Sequence, residues 1–274
     1  MPESAVRPPE DEQLAAIIAG DAAAFARWLA GNEDRLRASL RSFAERIDVE
    51  AVLQEALVRV WQVAPRFVPD GEPHGLLRLA IRIARNLAVS MLRQRRLEPV
   101  EIERLERLAI ETDSFAAAPD RFGDPLLRGA IQECRDRLPE KPALALTARL
   151  ESEGAEPDAR VAERLRMRAN TFLQNVVRAR RFLADCPQAP RHRSHGGALM
   201  TERERLIEEA ASAWRPLGVA GIRMHPAWAD LDEAGRREAY EIARLMRRLE
   251  AALDADGLST TARAVLARIG GSAR

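Results

Sequence analysis

Two stretches organise the chain: residues 52–61 read VLQEALVRVW, and residues 76–86 read LLRLAIRIARN. In the first, apolar residues recur at steps of three and four, which is the spacing of one helical face. These residues are Leu53, Ala56, Leu57, Val60 and Trp61. Asp48 stands just before the run, where a carboxylate can cap a helix N-terminus. The pattern therefore predicts an amphipathic helix that begins after Asp48.

The second stretch predicts a helix that is apolar around most of its circumference and continues to Arg96. Its charged residues are all arginines, and no acidic residue occurs between Leu76 and Leu97. The loop before it, residues 66–74, is rich in proline and glycine. A helix that is well buried and basic on its open face suits a polyanionic partner.

The composition favours a helical protein. The chain has 274 residues, of which 46% are hydrophobic and only 4% aromatic, and alanine, leucine, arginine and glutamate are abundant. This length is enough for two or three small domains. The net charge is only +1, but basic and acidic residues are segregated along the chain. We expect an all-α protein of two small helical domains joined by an acidic linker, with a C-terminal helical extension.

The pattern along the chain predicts six segments. They are a flexible tail at 1–10, a helical domain at 11–97, an acidic linker at 98–124, a second helical domain at 125–186, a basic linker at 187–199 and a helical extension at 200–274. The beginning of the acidic linker has apolar residues at helical spacing. The extension predicts a helix capped by Thr201, a long amphipathic helix at 232–253 and a last helix capped by Ser259. We expect these three helices to pack on one another and on the preceding domains.

Residues 158–186 predict two helices joined by a tight turn. A short helix runs from Asp158 to Leu165, a turn occupies residues 167–170, and a longer helix runs from Thr171 to Cys186, where Pro187 stops it. This arrangement is a helix-turn-helix, whose second helix enters the major groove with its N-terminal residues nearest the base edges.

Several classes of protein are not indicated. No apolar run reaches the ~20 residues of a membrane span, and the N-terminus lacks a signal-peptide core, so we expect a cytoplasmic protein with no membrane partner. Cys134 and Cys186 are expected to be buried or half-buried thiols in a reducing compartment. The pair His192 and His195 lies in a predicted loop and is not interpreted as a metal site.

The sequence also does not indicate an enzyme. It has no GxSxG, Walker or HExxH motif, and its histidines fall in predicted loops. Its carboxylates are interleaved with arginines at helical spacing, which is typical of surface pairing. We expect neither a catalytic site nor a cofactor.

The first domain resembles the core of the bacterial extracytoplasmic-function sigma factors. The resemblance rests on an ordered set across about fifty residues: Asp48 and Glu50, Gln54-Glu55, Val60-Trp61, residues 83–86 (IARN) and Leu92-Arg93. The second domain resembles the C-terminal domain of the same family over about sixty residues. There the matching residues are Leu138-Pro139, residues 161–165 (VAERL), Thr171 and residues 178–180 (RAR).

The resemblance implies a transcription initiation factor whose partners are core RNA polymerase and promoter DNA, with an anti-sigma regulator as a further candidate. In that family the first helix docks on a coiled coil of the largest polymerase subunit. The residues that would bind polymerase are Asp48, Glu50, Gln54, Glu55 and Arg59. The second helix and the loop before it engage the melted upstream promoter strand. Its DNA-binding residues would be Arg78, Arg82, Arg85, Asn86, Arg93, Arg95 and Arg96.

The recognition helix of the second domain would contact duplex DNA further upstream. Asparagine and glutamine can pair with adenine edges in the groove, and arginines contact phosphates. The residues implied here are Arg168, Asn170, Thr171, Gln174, Asn175, Arg178, Arg180 and Arg181. The sequence departs from the family at Arg166, where a turn glycine is usual, and at residues 173–175, where basic residues are more usual.

Two other functions stay open at this point. One is a DNA-binding regulator that does not bind polymerase, because Ala51, Leu79 and Ser90 stand where the family usually has an acid, a tryptophan and an aspartate. The other is a helical interaction or sequestering protein with no DNA role. For the extension, a start-like Met200 and a length of 75 residues motivate a hypothesis. It would modulate activity by packing on a DNA-binding face.

Overall fold

A computed structural model describes residues 9–94, 98–112, 125–186 and 200–271. These residues form thirteen α-helices and one two-stranded hairpin, so the fold is all-α as predicted. The N-terminal part contains α1 (Pro9–Ile18), α2 (Ala22–Ala38), α3 (Val49–Val63), α4 (Gly75–Gln94) and α5 (Pro99–Thr112). Short 3₁₀ turns lie at Arg41–Phe43 and Ala64–Arg66.

The middle part contains α6 (Pro125–Asp136), α7 (Glu140–Glu151), α8 (Asp158–Arg164) and α9 (Ala169–Asp185). The C-terminal part contains α10 (Glu202–Ala210), α11 (Pro226–Ala229), α12 (Glu233–Leu253) and α13 (Thr260–Gly271). Between α10 and α11 lies an antiparallel hairpin of β1 (Leu217–Gly218) and β2 (Gly221–Ile222), in which Leu217 pairs with Ile222.

Local sequence explains where the helices of the site begin. The Asp48 carboxylate accepts a hydrogen bond from the Ala51 amide at 3.3 Å and caps α3, as predicted. Thr201 caps α10 in a full capping box with Glu204. The Asp232 carboxylate accepts from the Gly235 amide at the start of α12, and the Ser259 hydroxyl accepts from the Ala262 amide at the start of α13. The predicted helices of the extension are therefore present.

The first hydrophobic core joins α2, α3 and α4. Its fully buried members include Phe25, Leu53, Leu57 and Leu77. The extension contributes to this core as well, through apolar residues of α12, of α13 and of the segment between them. These are Tyr240, Leu258, Ala262, Val265 and Ile269.

The second core joins α6, α7, α8 and α9 around Phe172, Leu173 and Val176. Again α12 enters it, with Met246, Leu249, Ala252 and Leu253. A small cluster around Trp228 is formed by residues of the extension. The extension therefore packs only partly on itself, and α12 contributes to both of the larger cores.

The prediction of two free thiols is wrong. Cys134 in α6 and Cys186 at the end of α9 are joined by a disulfide across a sequence separation of 52 residues. Their Cα atoms lie 6.2 Å apart, within the range that a disulfide spans. Helix packing creates this proximity, and the spacing of the two cysteines in the sequence gives no sign of it.

Some predictions fall outside the described residues. They concern most of the tail, Arg95 and Arg96, the acidic linker from 113 to 124, and the basic linker with His192 and His195. The start of the acidic linker is helical as predicted, because it forms α5. Within the described part of the chain, no helix is both long enough and apolar enough to cross a membrane.

Candidate functional site

The polar face at the start of α3 is buried. Asp48, Glu50 and Gln54 expose 1%, 3% and 0% of their surface, although all three were predicted to meet a partner protein. We call these three residues the α3 polar face. Acidic and amide side chains are rarely buried without hydrogen-bonding partners. The partners of this face come largely from the C-terminal extension.

Asp48 is held by the segment between α10 and α11. The Arg215 guanidinium forms a two-point contact with its carboxylate, Nε to Oδ2 at 2.7 Å and Nη2 to Oδ1 at 2.8 Å. The backbone amide of His225 also donates to Oδ2, at 2.8 Å. Both side chains of the ion pair are almost completely buried. One carboxylate therefore caps α3 and anchors the extension to it.

Glu50 lies in a buried network with α2 and α13. Its Oε2 contacts Arg37 Nη1 at 2.6 Å, and its Oε1 accepts from the Thr261 hydroxyl at 2.6 Å. Burial acts to raise the pKa of Glu50, but the charges of Arg37, Arg247 and Arg215 outweigh it and lower the pKa to about 2. Glu50 is therefore ionised at neutral pH.

A second carboxylate shares Arg37 and responds in the opposite way. Glu33 contacts Arg37 Nη2 at 2.8 Å and accepts a hydrogen bond from the Ser259 hydroxyl. Burial nevertheless raises the pKa of Glu33 above its usual value, against the lowering effect of Arg37. The two carboxylates around one guanidinium thus differ in proton affinity.

Gln54 completes the α3 polar face. Its amide nitrogen donates to the Ala213 carbonyl at 2.6 Å and to Glu50 Oε1 at 3.0 Å. Its amide oxygen accepts a hydrogen bond from Arg268, which also donates to the Arg215 carbonyl at 3.0 Å. Both ends of the amide are therefore bound by the extension.

His225 lies at the edge of the same interface. Its Nδ1 accepts from the Ala227 amide at 3.1 Å and caps α11, and its ring lies edge-on to Trp214. Burial lowers the pKa of His225 to about 3, with the charges of Arg215 and Arg149 acting in the same direction. The imidazole is therefore neutral at physiological pH.

Of the five residues predicted to bind polymerase, only the last two along α3, Glu55 and Arg59, are accessible to solvent. Glu55 is half-buried, with Oε1 accepting from Arg59 Nε at 2.9 Å and Oε2 accepting from the Ile222 amide at 3.2 Å. Arg59 is exposed. The structure thus separates the predicted set into a covered part, the α3 polar face, and an open part around Arg59.

The basic helix α4 differs from α3 because its polar stripe faces outward. The exposed residues recur at steps of three and four along one side and are Arg82, Asn86, Ser90, Arg93 and Gln94. Two other arginines that were predicted to bind DNA, Arg78 and Arg85, do not belong to this exposed stripe. Arg78 pairs with Asp70 at 2.6 Å, and Arg85 donates to the Ala109 carbonyl at 2.7 Å.

The second predicted DNA-binding surface lies on α9. Arg168, Thr171, Arg178 and Arg181 are exposed, and Asn170 and Gln174 are half-buried. The residues Thr171, Gln174, Arg178 and Arg181 fall on one side of the helix, at steps of three and four. This stripe is the open face of α9.

Two predicted DNA contacts on α9 do not lie on this open face. Asn175 is buried, and its amide nitrogen donates to the Thr171 carbonyl at 2.9 Å. Arg180 is buried in an ion pair with Glu208 of α10 at 2.6 Å. The expectation that these side chains meet DNA does not fit this arrangement, because each points into packed protein. The extension therefore also reaches α9, at Arg180.

The turn between α8 and α9 contains a residue with a left-handed backbone conformation. Arg166 has a φ of 54°, in the left-handed region that glycine adopts most readily. This is the position where the resembling family usually has glycine. Arg166 therefore supports the tight turn with a non-glycine residue, at some conformational cost.

Sequence reasoning missed the residues that cover α3. Arg215, Thr261 and Arg268 carry no motif, and each meets α3 across more than 150 residues of chain. Arg37 was also missed, because it lies in an ordinary amphipathic pattern of α2. The single available signal was the acidic and amide character of the α3 polar face, which requires polar partners wherever it is buried.

Comparison with protein-family models, with curated proteins and with solved structures found no match.

Proposed function

We propose that this chain is a sigma factor-like initiation factor that binds core RNA polymerase and recognises promoter DNA. The observation that carries the proposal is the presence of two separate open faces that bear arginines, one on α4 and one on α9. Each lies in its own helical module with its own core. Two weak DNA-binding modules on one chain act together because each raises the effective concentration of the other.

The α4 face has the chemistry of a strand-binding surface. Arg82 and Arg93 are permanently charged donors suited to phosphates, and Asn86 between them can donate to or accept from a base edge. The absence of any acid from α4 removes local repulsion of a polyanion. These properties support contact with the upstream promoter strand.

The α8–α9 unit supports recognition of duplex DNA. A seven-residue helix, a left-handed turn at Arg166 and a seventeen-residue helix form the bihelical arrangement that inserts its second helix into the major groove. Thr171 and Gln174 lie in the N-terminal half of α9, which is the part of a recognition helix that contacts base edges. Arg168, Arg178 and Arg181 are available for phosphates.

Transcription from a random-promoter library with purified core polymerase tests the proposal. We expect the full chain to enrich templates that share an upstream sequence pattern. The double substitution R82Q/R93Q should reduce this transcription strongly. The matched control is R203Q, because Arg203 is exposed and pairs only with Asp232 and Glu238 among the described residues. A library that shows no enrichment with the wild-type chain or its variants would refute the proposal.

A DNA-binding regulator that does not use polymerase is the second candidate. The observation that favours it is the burial of Asp48, Glu50 and Gln54 beneath the extension. Sequence-specific DNA binding by the full chain, combined with no binding to core polymerase, would support this alternative.

A further inference from the structure

The extension occupies most of the surface through which the proposed function would require polymerase to bind. Every member of the α3 polar face is bonded by groups from residues 200–271: Arg215 and the His225 amide on Asp48, Thr261 on Glu50, and Arg268 with the Ala213 carbonyl on Gln54. A second protein cannot reach these side chains while the extension is in place.

The polar chemistry of the α3 polar face suits a surface that binds the extension in one state and another partner in a second state. Replacing a buried ion pair by packed apolar side chains is often neutral or stabilising, so ionic groups are not the strongest choice for a permanent contact. A face made of two carboxylates and an amide is, in contrast, well solvated whenever it is uncovered. The α3 polar face therefore suits a helix that is covered in one state and open in another.

We infer that residues 200–271 are an intramolecular competitor that covers the α3 polar face until core RNA polymerase displaces it. The inference rests on the proposed function. The competitor has two parts: the segment between α10 and α11 that carries Ala213, Arg215 and His225, and the helix α13 that carries Thr261 and Arg268. Both must leave α3 before the face can open.

The extension covers the predicted polymerase-binding face but not the open faces of α4 and α9. Arg82, Asn86 and Arg93 on α4, and Arg178 and Arg181 on α9, stay exposed while α3 is covered. The extension therefore inhibits polymerase binding and leaves most of the predicted DNA-binding faces exposed. Arg59 at the edge of the covered face stays exposed and offers a first contact from which polymerase can begin displacement.

The buried apolar residues of α13 determine how much free energy is needed to displace the extension from α3. Ala262, Val265 and Ile269 are buried in the first core, so uncovering α3 also exposes apolar surface. Polymerase must compensate this cost with its own contacts, and the affinity of the full chain is reduced accordingly. By reciprocity, polymerase binding must loosen the extension by the same factor by which the extension weakens polymerase binding.

Hydrogen exchange of the full chain, with and without saturating core polymerase, tests the inference directly. We expect the backbone amides of residues 211–225 and 260–271 to lose protection when polymerase binds. Three single substitutions in the extension supply a graded series: T261V removes one hydroxyl, R268Q weakens the contact to Gln54, and R215M removes the charge that pairs with Asp48. The polymerase dissociation constant should fall in that order, by at least about tenfold for R215M. R203Q is the matched control and should leave it unchanged.

The outcomes separate this inference from the proposed function. If polymerase binds the wild-type chain while residues 211–225 and 260–271 keep their protection, the competitor is refuted and the proposed function stands. Equal affinity of wild-type and loosened variants would refute it in the same way. If polymerase binds none of these chains, including variants whose extension exchanges faster, the proposed function itself is wrong. T261V keeps side-chain shape, so the series remains informative even if R215M fails to fold.

Discussion

The polar faces of α3 and α4 lie on neighbouring helices of one bundle and have opposite environments. On α3, Asp48, Glu50 and Gln54 are buried, and each is bonded by a group of the extension. On α4, Arg82, Asn86 and Arg93 are exposed. Both faces are equally polar in sequence, so polarity alone does not reveal which face is open to a partner. The difference is made by partner groups that come from more than 150 residues away.

The largest expected effect comes from removing the extension's charge that pairs with the covered α3 polar face. R215M leaves the Asp48 carboxylate buried without its guanidinium, which typically costs about 3–5 kcal/mol. The free energy of unfolding from urea denaturation measures this loss. The exposed pair of Arg203 and Glu238 is the matched comparison, and R203Q should cost less than about 1 kcal/mol. Similar losses for the two substitutions would show that the α3 face is not truly buried.

Acidification gives the second effect, because Glu50 on the covered face and His225 at its edge have lowered pKa values. His225 has a pKa of about 3 in the folded chain, so the unfolded chain binds a proton first as the pH falls below about 6.5. Glu50, with a pKa of about 2, adds a loss of stability as the pH falls from about 4.5 to about 2. Glu33 opposes it, since its raised pKa favours the folded chain as the pH falls.

The variant H225N isolates the histidine part of this pH dependence. Asparagine is a good N-cap and does not titrate, so it can still cap α11. We expect H225N to keep its stability between about pH 6.5 and 4.5, where the wild-type chain loses it, when unfolding is followed by tryptophan fluorescence. An unchanged pH profile would mean that His225 is not kept neutral by the interface.

The fold was largely predictable from sequence, while the environment of the site was not. Periodicity and caps gave the starts of α3 and α12 to within one residue, and the ends of α8 and α9 were predicted to within two residues, because these signals are local. The burial of Asp48 and Arg180 depends on Arg215 and Glu208, and no local pattern connects these pairs. The same reason explains the disulfide, since only packing brings Cys134 and Cys186 together.

The third effect is on the salt dependence of DNA affinity, and it compares an exposed with a buried arginine of α9. Each arginine that contacts a duplex phosphate contributes about 0.9 to the slope of log affinity against log salt, and about 0.7 on a single strand. R178Q should therefore lower the slope for duplex DNA by nearly one unit, measured by fluorescence anisotropy. R180Q should leave the slope unchanged and reduce stability instead, because Arg180 is buried against Glu208. A large slope change for R180Q would mean that the extension leaves α9 when DNA binds.

The smallest expected effect lies at the turn that presents the open face of α9. Arg166 adopts a φ of 54°, and a residue with a Cβ pays about 1–2 kcal/mol in this region. Glycine removes that strain but loses about 0.5–1 kcal/mol to its greater freedom in the unfolded chain. R166G should therefore stabilise the protein by up to about 1 kcal/mol in urea denaturation, although it removes a charge near the proposed DNA interface. An exposed helical arginine is the control: R178G should be destabilising, since its backbone is already helical. If R166G destabilises the chain as much as R178G, the left-handed turn is not the conformation of this link in solution.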